Sequence, residues 1–317
     1  HHLFYALLVC SEKIRQKMKQ AEETATINPA YTETELQQLH AVLYDILTEI
    51  QRVCDILGVK YFLLGGSAIG AYYWDGIIPF DDDIDIGMKR NDYETFLAKA
   101  PQLLKPEFFL QWHGTERHMP VFFAKVRRND TRYVEPLTKD LPIHQGIFID
   151  IMPIDRIPNG KRAQFWHRKW ANILNDAFTA KEFWRYPHCG KSIITPPIAR
   201  GRMSCVLLRC FTTITPKGVI YRLLRFVQTF YNKRRTQCYN SVPCYCDYIE
   251  QDDLEQLQDV VFGPLTARTT NHVDVYLHRH YPHLKKYLSD EEIQAYCHKP
   301  IELKTLAGPA DSQPSTC

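Results

Sequence analysis

No C-x-x-C pair occurs among the ten cysteines, which are scattered from Cys10 to Cys317. That spacing argues against a zinc ribbon and does not resemble a disulfide framework, so a reducing compartment is expected. No apolar run is long enough to span a bilayer. Residues 3–10 have the texture of a signal h-region, but no basic residue precedes them. No methionine opens the chain, as expected of a trimmed start. Strong charge of one sign is also missing. A net charge of +3 over 317 residues does not call for nucleic acid or an anionic membrane. A nucleic-acid polymerase is disfavoured, because no basic field is there to hold a duplex. There is no internal repeat. The length suits one large domain or two modest ones.

What is present centres on residues 61–88. An apolar run at 61–64 reads as a buried strand that ends in Gly65, Gly66 and Ser67. A short helical piece follows, then a break at Gly76 and Pro79, then Asp81, Asp82, Asp83 and Asp85 within five residues. The alternation through Ile84, Ile86 and Met88 predicts a second strand. On a strand, Asp81, Asp83 and Asp85 share one face, while Asp82, Ile84 and Ile86 share the other. Carboxylates side by side on a half-buried strand repel one another unless a cation lies between them.

Around this stretch the periodicity predicts a helix over 33–57, opened by a Thr32/Glu35 capping box and closed by Gly58. It predicts a second helix from an Asn91 cap, with Glu94 three residues on, to about Leu104. Strands are expected at 59–64, 83–88, 108–113, 121–128, 132–134 and 146–155. The last of these carries Asp150 amid isoleucines, a carboxylate that wants a partner. Beyond Asp155 an amphipathic helix is expected over 161–182, loops at Pro187 and at Pro196 and Pro197, and one or two helices over 203–235 broken near Pro216. A strand-like stretch within 253–268 and a helix over 271–281 follow. Residues 11–30 read as a helix and loop, and 308–317 as a disordered tail.

A glycine turn after one strand, Asp-x-Asp on the next and a further Asp on a later strand outline a two-metal phosphoryl or nucleotidyl transferase. Mg²⁺ takes a few carboxylate oxygens together with substrate phosphates. Two such ions clamp the attacking and leaving oxygens at phosphorus. Backbone N–H groups of Gly66 and Ser67 at a helix start suit an anionic phosphate. Lys125 is expected to neutralise donor phosphate charge, with Arg127 on the same face. Asp81 and Asp155 are read either as supporting carboxylates, or the base for an acceptor hydroxyl, or as caps and turns. His278, His280 and His283 read as surface histidines rather than a zinc site.

The blocks GGSAIGAYYWDGIIPFDDDIDIGM, FFAKVRRNDT and GIFIDIMPID resemble the LicD/fukutin family over about residues 33–155. FGPLTARTTNHVDVYLHRHY, 262–281, resembles that family's closing strand and Y-L-x-x-x-Y helix more weakly. Tyr73 and Phe80 stand where many members have Arg and Trp. The resemblance implies an α/β (α+β) nucleotidyltransferase-like mixed sheet flanked by helices, with a mostly helical insertion. It divides the chain into an N-terminal helix and loop (1–32), a catalytic core (33–155), a helical lid or acceptor subdomain (156–250), a C-terminal strand and helices (251–307), and the tail.

By the same resemblance, Asp83, Asp85 and Asp150 bind Mg²⁺ or Mn²⁺. Gly65, Gly66, Ser67 and Arg127 contact the donor, and Lys125 joins the catalytic set. The implied reaction moves a phospho-alcohol, phosphocholine or a phospho-sugar alcohol, from a CDP-linked donor to a hydroxyl of a cell-surface glycan such as lipopolysaccharide or teichoic acid. Family members act in the bacterial cytoplasm and in the eukaryotic Golgi. The basic, aromatic helices of 161–235 are expected to form a lid, with contact to a membrane or a lipid-linked acceptor as the alternative.

Overall fold

The computed structural model describes residues 31–183, 202–245, 248–281 and 300–306, with 283–286, 288–289 and 292–293 between the last two. The helix expected within 11–30, the proline loops near 187–197 and the tail at 308–317 lie outside the described residues.

Helix α1, Glu33–Leu57, forms where the apolar period predicts it, and buries Leu36, Leu39, Leu43, Ile46 and Ile50 among others. Thr32 and Glu35 close a reciprocal capping box. Gly58, at φ 65°, takes the left-handed conformation that ends the helix.

Strand β1 is only Phe62–Leu63, shorter than the expected 59–64. The reason lies at its end: the Leu64 N–H reaches the Asp85 carbonyl, and the chain then turns into helix α2, Gly65–Trp74. Gly70 is required where α2 crosses the following turn, because a Cβ there would stand 2.3 Å from the Gly76 carbonyl oxygen. Strand β2 is Asp85–Lys89 rather than 83–88. It runs directly into α3, Arg90–Lys99, which a short 3₁₀ turn extends to Gln102. The helix therefore starts at Arg90 with Lys89 as its cap, not at Asn91.

Strands β3 (Phe108–Gln111), β4 (Ala124–Arg128), β5 (Arg132–Val134) and β6 (Phe148–Ile157) follow. The main sheet has the order β1-β2-β6-β4-β3 and is mixed: β2 and β6 are parallel, and the other pairs antiparallel. Ten-residue β6 spends its first half on β4 and its last three residues on β7, Cys238–Asn240, which pairs in turn with β8, Ile249–Glu250. Strands β9 (Gln258–Phe262) and β10 (Leu265–Thr269) form a hairpin. Strand β11, Glu302–Lys304, pairs with β5. The fold is thus an α/β (α+β) mixed sheet flanked by helices, as expected.

Between β6 and β7 the described chain is helical: α4 (Lys161–Phe183), α5 (Arg202–Ile214) and α6 (Lys217–Thr229), with Pro216 dividing the last two. They meet through Ala177, Phe178, Leu208 and Ile220. Lys217 ties them to the core, its Nζ donating to the Arg117 and Met119 carbonyls and to Glu182. Helix α7, Val273–His280, packs on α2. None of the helices described is long and apolar enough to cross a membrane.

Asp176 on α4 is half-buried, with its Oδ2 enclosed and without a hydrogen-bond partner among the described residues. Burial pushes its carboxyl up to about 7. The unfolded chain ionises there near 4, so the penalty is absent below that pH, grows as pH rises to about 7, and is constant above. Asp176→Asn is expected to stabilise the protein by about 2 kcal/mol near pH 8 and to change little near pH 4. Urea unfolding at the two pH values checks this, and an equal gain at both would contradict it.

Candidate active site

Three adjacent strands place three charged side chains in line. Asp85 on β2 stands in register with Asp150 on β6, and Asp150 stands opposite Lys125 on β4. The Lys125 Nζ lies 2.7 Å from Asp150 Oδ1 and 3.4 Å from the centre of the Phe148 ring. Both charged residues are buried. Burial pushes the Asp150 carboxyl up, Lys125 pulls it back, and the charges of Glu135 and Asp83 push it up again. Asp83 is therefore close enough to Asp150 for its charge to be felt.

The expected alternation holds through the acidic run. Asp81, Asp83 and Asp85 are half-buried, while Asp82, Ile84 and Ile86 are buried. The Ile84 carbonyl still accepts the Asp150 N–H, so pairing with β6 begins one residue before β2 itself. Asp82, turned inward, accepts hydrogen bonds from Tyr31 and Tyr133, both at 2.6 Å to Oδ2. These phenols anchor the run from beneath. His40 contacts the Asp81 carbonyl at 2.7 Å, and burial lowers its pKa, so it adds little positive charge at neutral pH.

Gly65, Gly66 and Ser67 form the first turn of α2, whose Leu64 cap offers no side-chain acceptor. The N–H groups of this turn are the kind a phosphate takes. A Cβ on Gly66 would stand 3.0 Å from Asp81 Oδ2, so glycine lets the acidic run approach the helix start. Ser67 does not point outward as a ligand: its Oγ accepts the Asp85 N–H at 2.8 Å and fixes the turn to β2.

The Gly65 N–H approaches the Tyr276 hydroxyl at 3.5 Å, and a Cβ on Gly65 would meet the Tyr281 hydroxyl at 3.8 Å. Both tyrosines come from α7 and its end. The Y-L-x-x-x-Y pattern was the available signal for them. Glu135, half-buried after β5, acts electrostatically on Asp150 and Arg127, and nothing in its sequence context marks it.

Two residues considered from sequence are engaged elsewhere. Arg127 is fully buried, and its guanidinium donates to Gln111 and to the Gly146 carbonyl. Asp155 is fully buried in a two-pronged pair with Arg90 and accepts from Asn232 at 2.6 Å.

A hard divalent cation fits the remaining donor set, because every ligand is a carboxylate oxygen. Asp81, Asp82 and Asp83 bring oxygens within 4.8 Å of one another. The tightest trio therefore shares Asp83 with the expected set of Asp83, Asp85 and Asp150. The Asp150 carboxylate is instead held by Lys125. No histidine or cysteine belongs to a comparable group among the described residues.

A family model described as the LicD/FKTN/FKRP nucleotidyltransferase domain matches residues 58–182, from the end of α1 to the end of α4. A lipopolysaccharide cholinephosphotransferase LicD of Haemophilus influenzae is 39% identical over 62 residues, 20% of this chain and 23% of that protein. An uncharacterized protein of Rickettsia prowazekii is 38% identical over 124 residues, 37% of this chain and 47% of its own length. Another, from Rickettsia typhi, is 37% identical over 60 residues, 19% of each chain. The chain thus spans less than half the length of each of these relatives. The matched region holds the glycine turn, the acidic run, Lys125 and Asp150, and over residues 58–182 the chain is similar to the LicD family.

Proposed function

We propose that the chain is a metal-dependent phosphotransferase that moves a phospho-alcohol group from a CDP-linked donor to a hydroxyl of a cell-surface glycan. The observation that carries this reading is the alignment of Lys125, Asp150 and Asp85 across neighbouring strands, beside Asp83 and the uncapped glycine start of α2. The name of the Haemophilus influenzae relative supports phosphocholine as cargo and lipopolysaccharide as acceptor.

In this reading Asp83, Asp85 and Asp150 hold Mg²⁺ or Mn²⁺, with Asp81 at the margin. A bound divalent ion would neutralise phosphate charge and polarise the phosphorus centre. The N–H groups of Gly66 and Ser67 bind a donor phosphate, and Lys125 swings between Asp150 and the transferring phosphoryl group. A carboxylate of the cluster takes the proton of the acceptor hydroxyl. The acceptor oxygen bonds to the distal phosphorus as the bond to the CMP oxygen breaks, and CMP leaves. No covalent enzyme intermediate is needed. The helices of 156–250 act as a lid or acceptor subdomain.

The test is a panel of CDP-choline, CDP-ribitol, CDP-glycerol and CDP-ethanolamine, assayed for CMP. Magnesium-dependent CMP from one member, lost on chelation and in Asp83→Ala, is the expected result. Pyrophosphate from a nucleoside triphosphate would indicate nucleotidyl transfer instead. Binding of CDP-alcohols without turnover would indicate a silent binding module.

A further inference from the structure

We propose that helices α4, α5 and α6 form a docking surface for an anionic lipid bilayer. The chain's small net charge conceals a strong division. Residues 161–235 contain sixteen lysines and arginines but only two acidic residues, Asp176 and Glu182, a net of +14. With +3 overall, the remaining residues carry −11. Neither acid is exposed: Asp176 is half-buried with its Oδ2 enclosed, and Glu182 is buried against Lys217 and His118. The described surface of these helices is accordingly basic, with no exposed acidic residue.

The same helices leave large apolar side chains uncovered at helical spacing. On α6 and just beyond, Val219, Leu223, Phe226 and Phe230 lie on one stripe, and all are exposed. Arg222 flanks the stripe, and Lys233, Arg234 and Arg235 follow it, all exposed, while Arg225 turns away to pair with Glu94 at 2.9 Å. Helix α5 adds an exposed stripe of Leu207, Phe211 and Ile214, and α4 adds Trp166 and Trp170 beside Lys169. Lys169 lies 4.7 Å over the Trp166 ring, and Arg234 4.8 Å over Phe230.

Aromatic rings that bury at headgroup depth, with guanidinium and ammonium groups beside them, are what an amphipathic helix presents to anionic lipid. An acidic protein or a nucleic acid would satisfy the charge but not the apolar stripes. The surface is also separate from the donor site. Asp150 lies near the start of β6, and α4 leaves the opposite end, roughly 20 Å of strand away. Helices α5 and α6 lie beyond residue 182, where the family match ends, so their part of the surface falls outside the matched region.

Flotation of the full chain with vesicles of phosphatidylcholine, alone or mixed with phosphatidylglycerol, tests this without reference to the transfer reaction. The chain should float only with the anionic vesicles, and salt should weaken binding. Phe226→Ser with Phe230→Ser, and separately Arg222→Glu, should each lower partition by about ten-fold. Trp166→Ser on α4 should lower it too, which separates loss of the surface from local damage to α6. Circular dichroism should be unchanged in all of them. Equal flotation with neutral vesicles, or none with anionic ones, would overturn the proposal. So would RNA binding that ignores the aromatic substitutions, or a dimer that Phe226→Ser dissociates.

Discussion

Asp150→Asn should abolish transfer, lowering kcat/KM by at least about a thousand-fold while the chain stays folded. The substitution preserves shape and removes one charge at the point where three strands converge. Asp150 has Lys125 on one side and Asp85, in register, on the other. Burial already works against its ionised form, and Lys125 offsets that cost. Without the carboxylate, the cation loses a ligand and the lysine loses the partner that holds it 2.7 Å away. Lys125→Met should also be severe, and because the two groups act as a unit the double variant should be little worse than either alone. CMP release under saturating donor and magnesium checks both, with thermal unfolding as the control for folding. Near wild-type turnover in Asp150→Asn would remove this strand from the chemistry.

Much of this site was legible because it is local. The Thr32/Glu35 box, the Gly58 stop and the alternation from Asp81 to Ile86 depend on residues within a few positions of one another, and each is found as expected. What sequence spacing could not show was which distant group each buried charge would meet. Asp82 and Asp83 are neighbours of identical type, yet Tyr31 and Tyr133 claim the first from 51 residues away on either side. Arg127 shares a face with Lys125 but is spent on Gln111 and the Gly146 carbonyl. The shortened β1 has a similar origin. Its apolar residues continue past the last pairing position because the turn into α2, not hydrophobicity, ends the strand. Net charge is uninformative here for a different reason: a sum over the whole chain erases the separation of a basic helical segment from an acidic remainder.

Asp155→Ala should give the largest loss of stability, about 3–5 kcal/mol. Asp155 had two readings from sequence, a base near the reaction or a structural group, and its surroundings favour the second. It is fully buried, receives two guanidinium hydrogen bonds from Arg90 and a third from Asn232, and Gln228 of α6 shares the same guanidinium. Removing the carboxylate strands a buried cation whose remaining partners are the more exposed Glu94 and the neutral Gln228. The damage should therefore extend from α3 through β6 into the helical segment, all of which meet at this pair. Urea unfolding measures the loss. The pair's own net value is separable from the cost of breaking it: Arg90→Met combined with Asp155→Leu should recover most of the stability, because neither charge is then left buried alone. If Asp155→Ala instead unfolds like the wild type and loses only turnover, the carboxylate belongs to the reaction, and the structural reading of β6 beyond Ile154 is wrong.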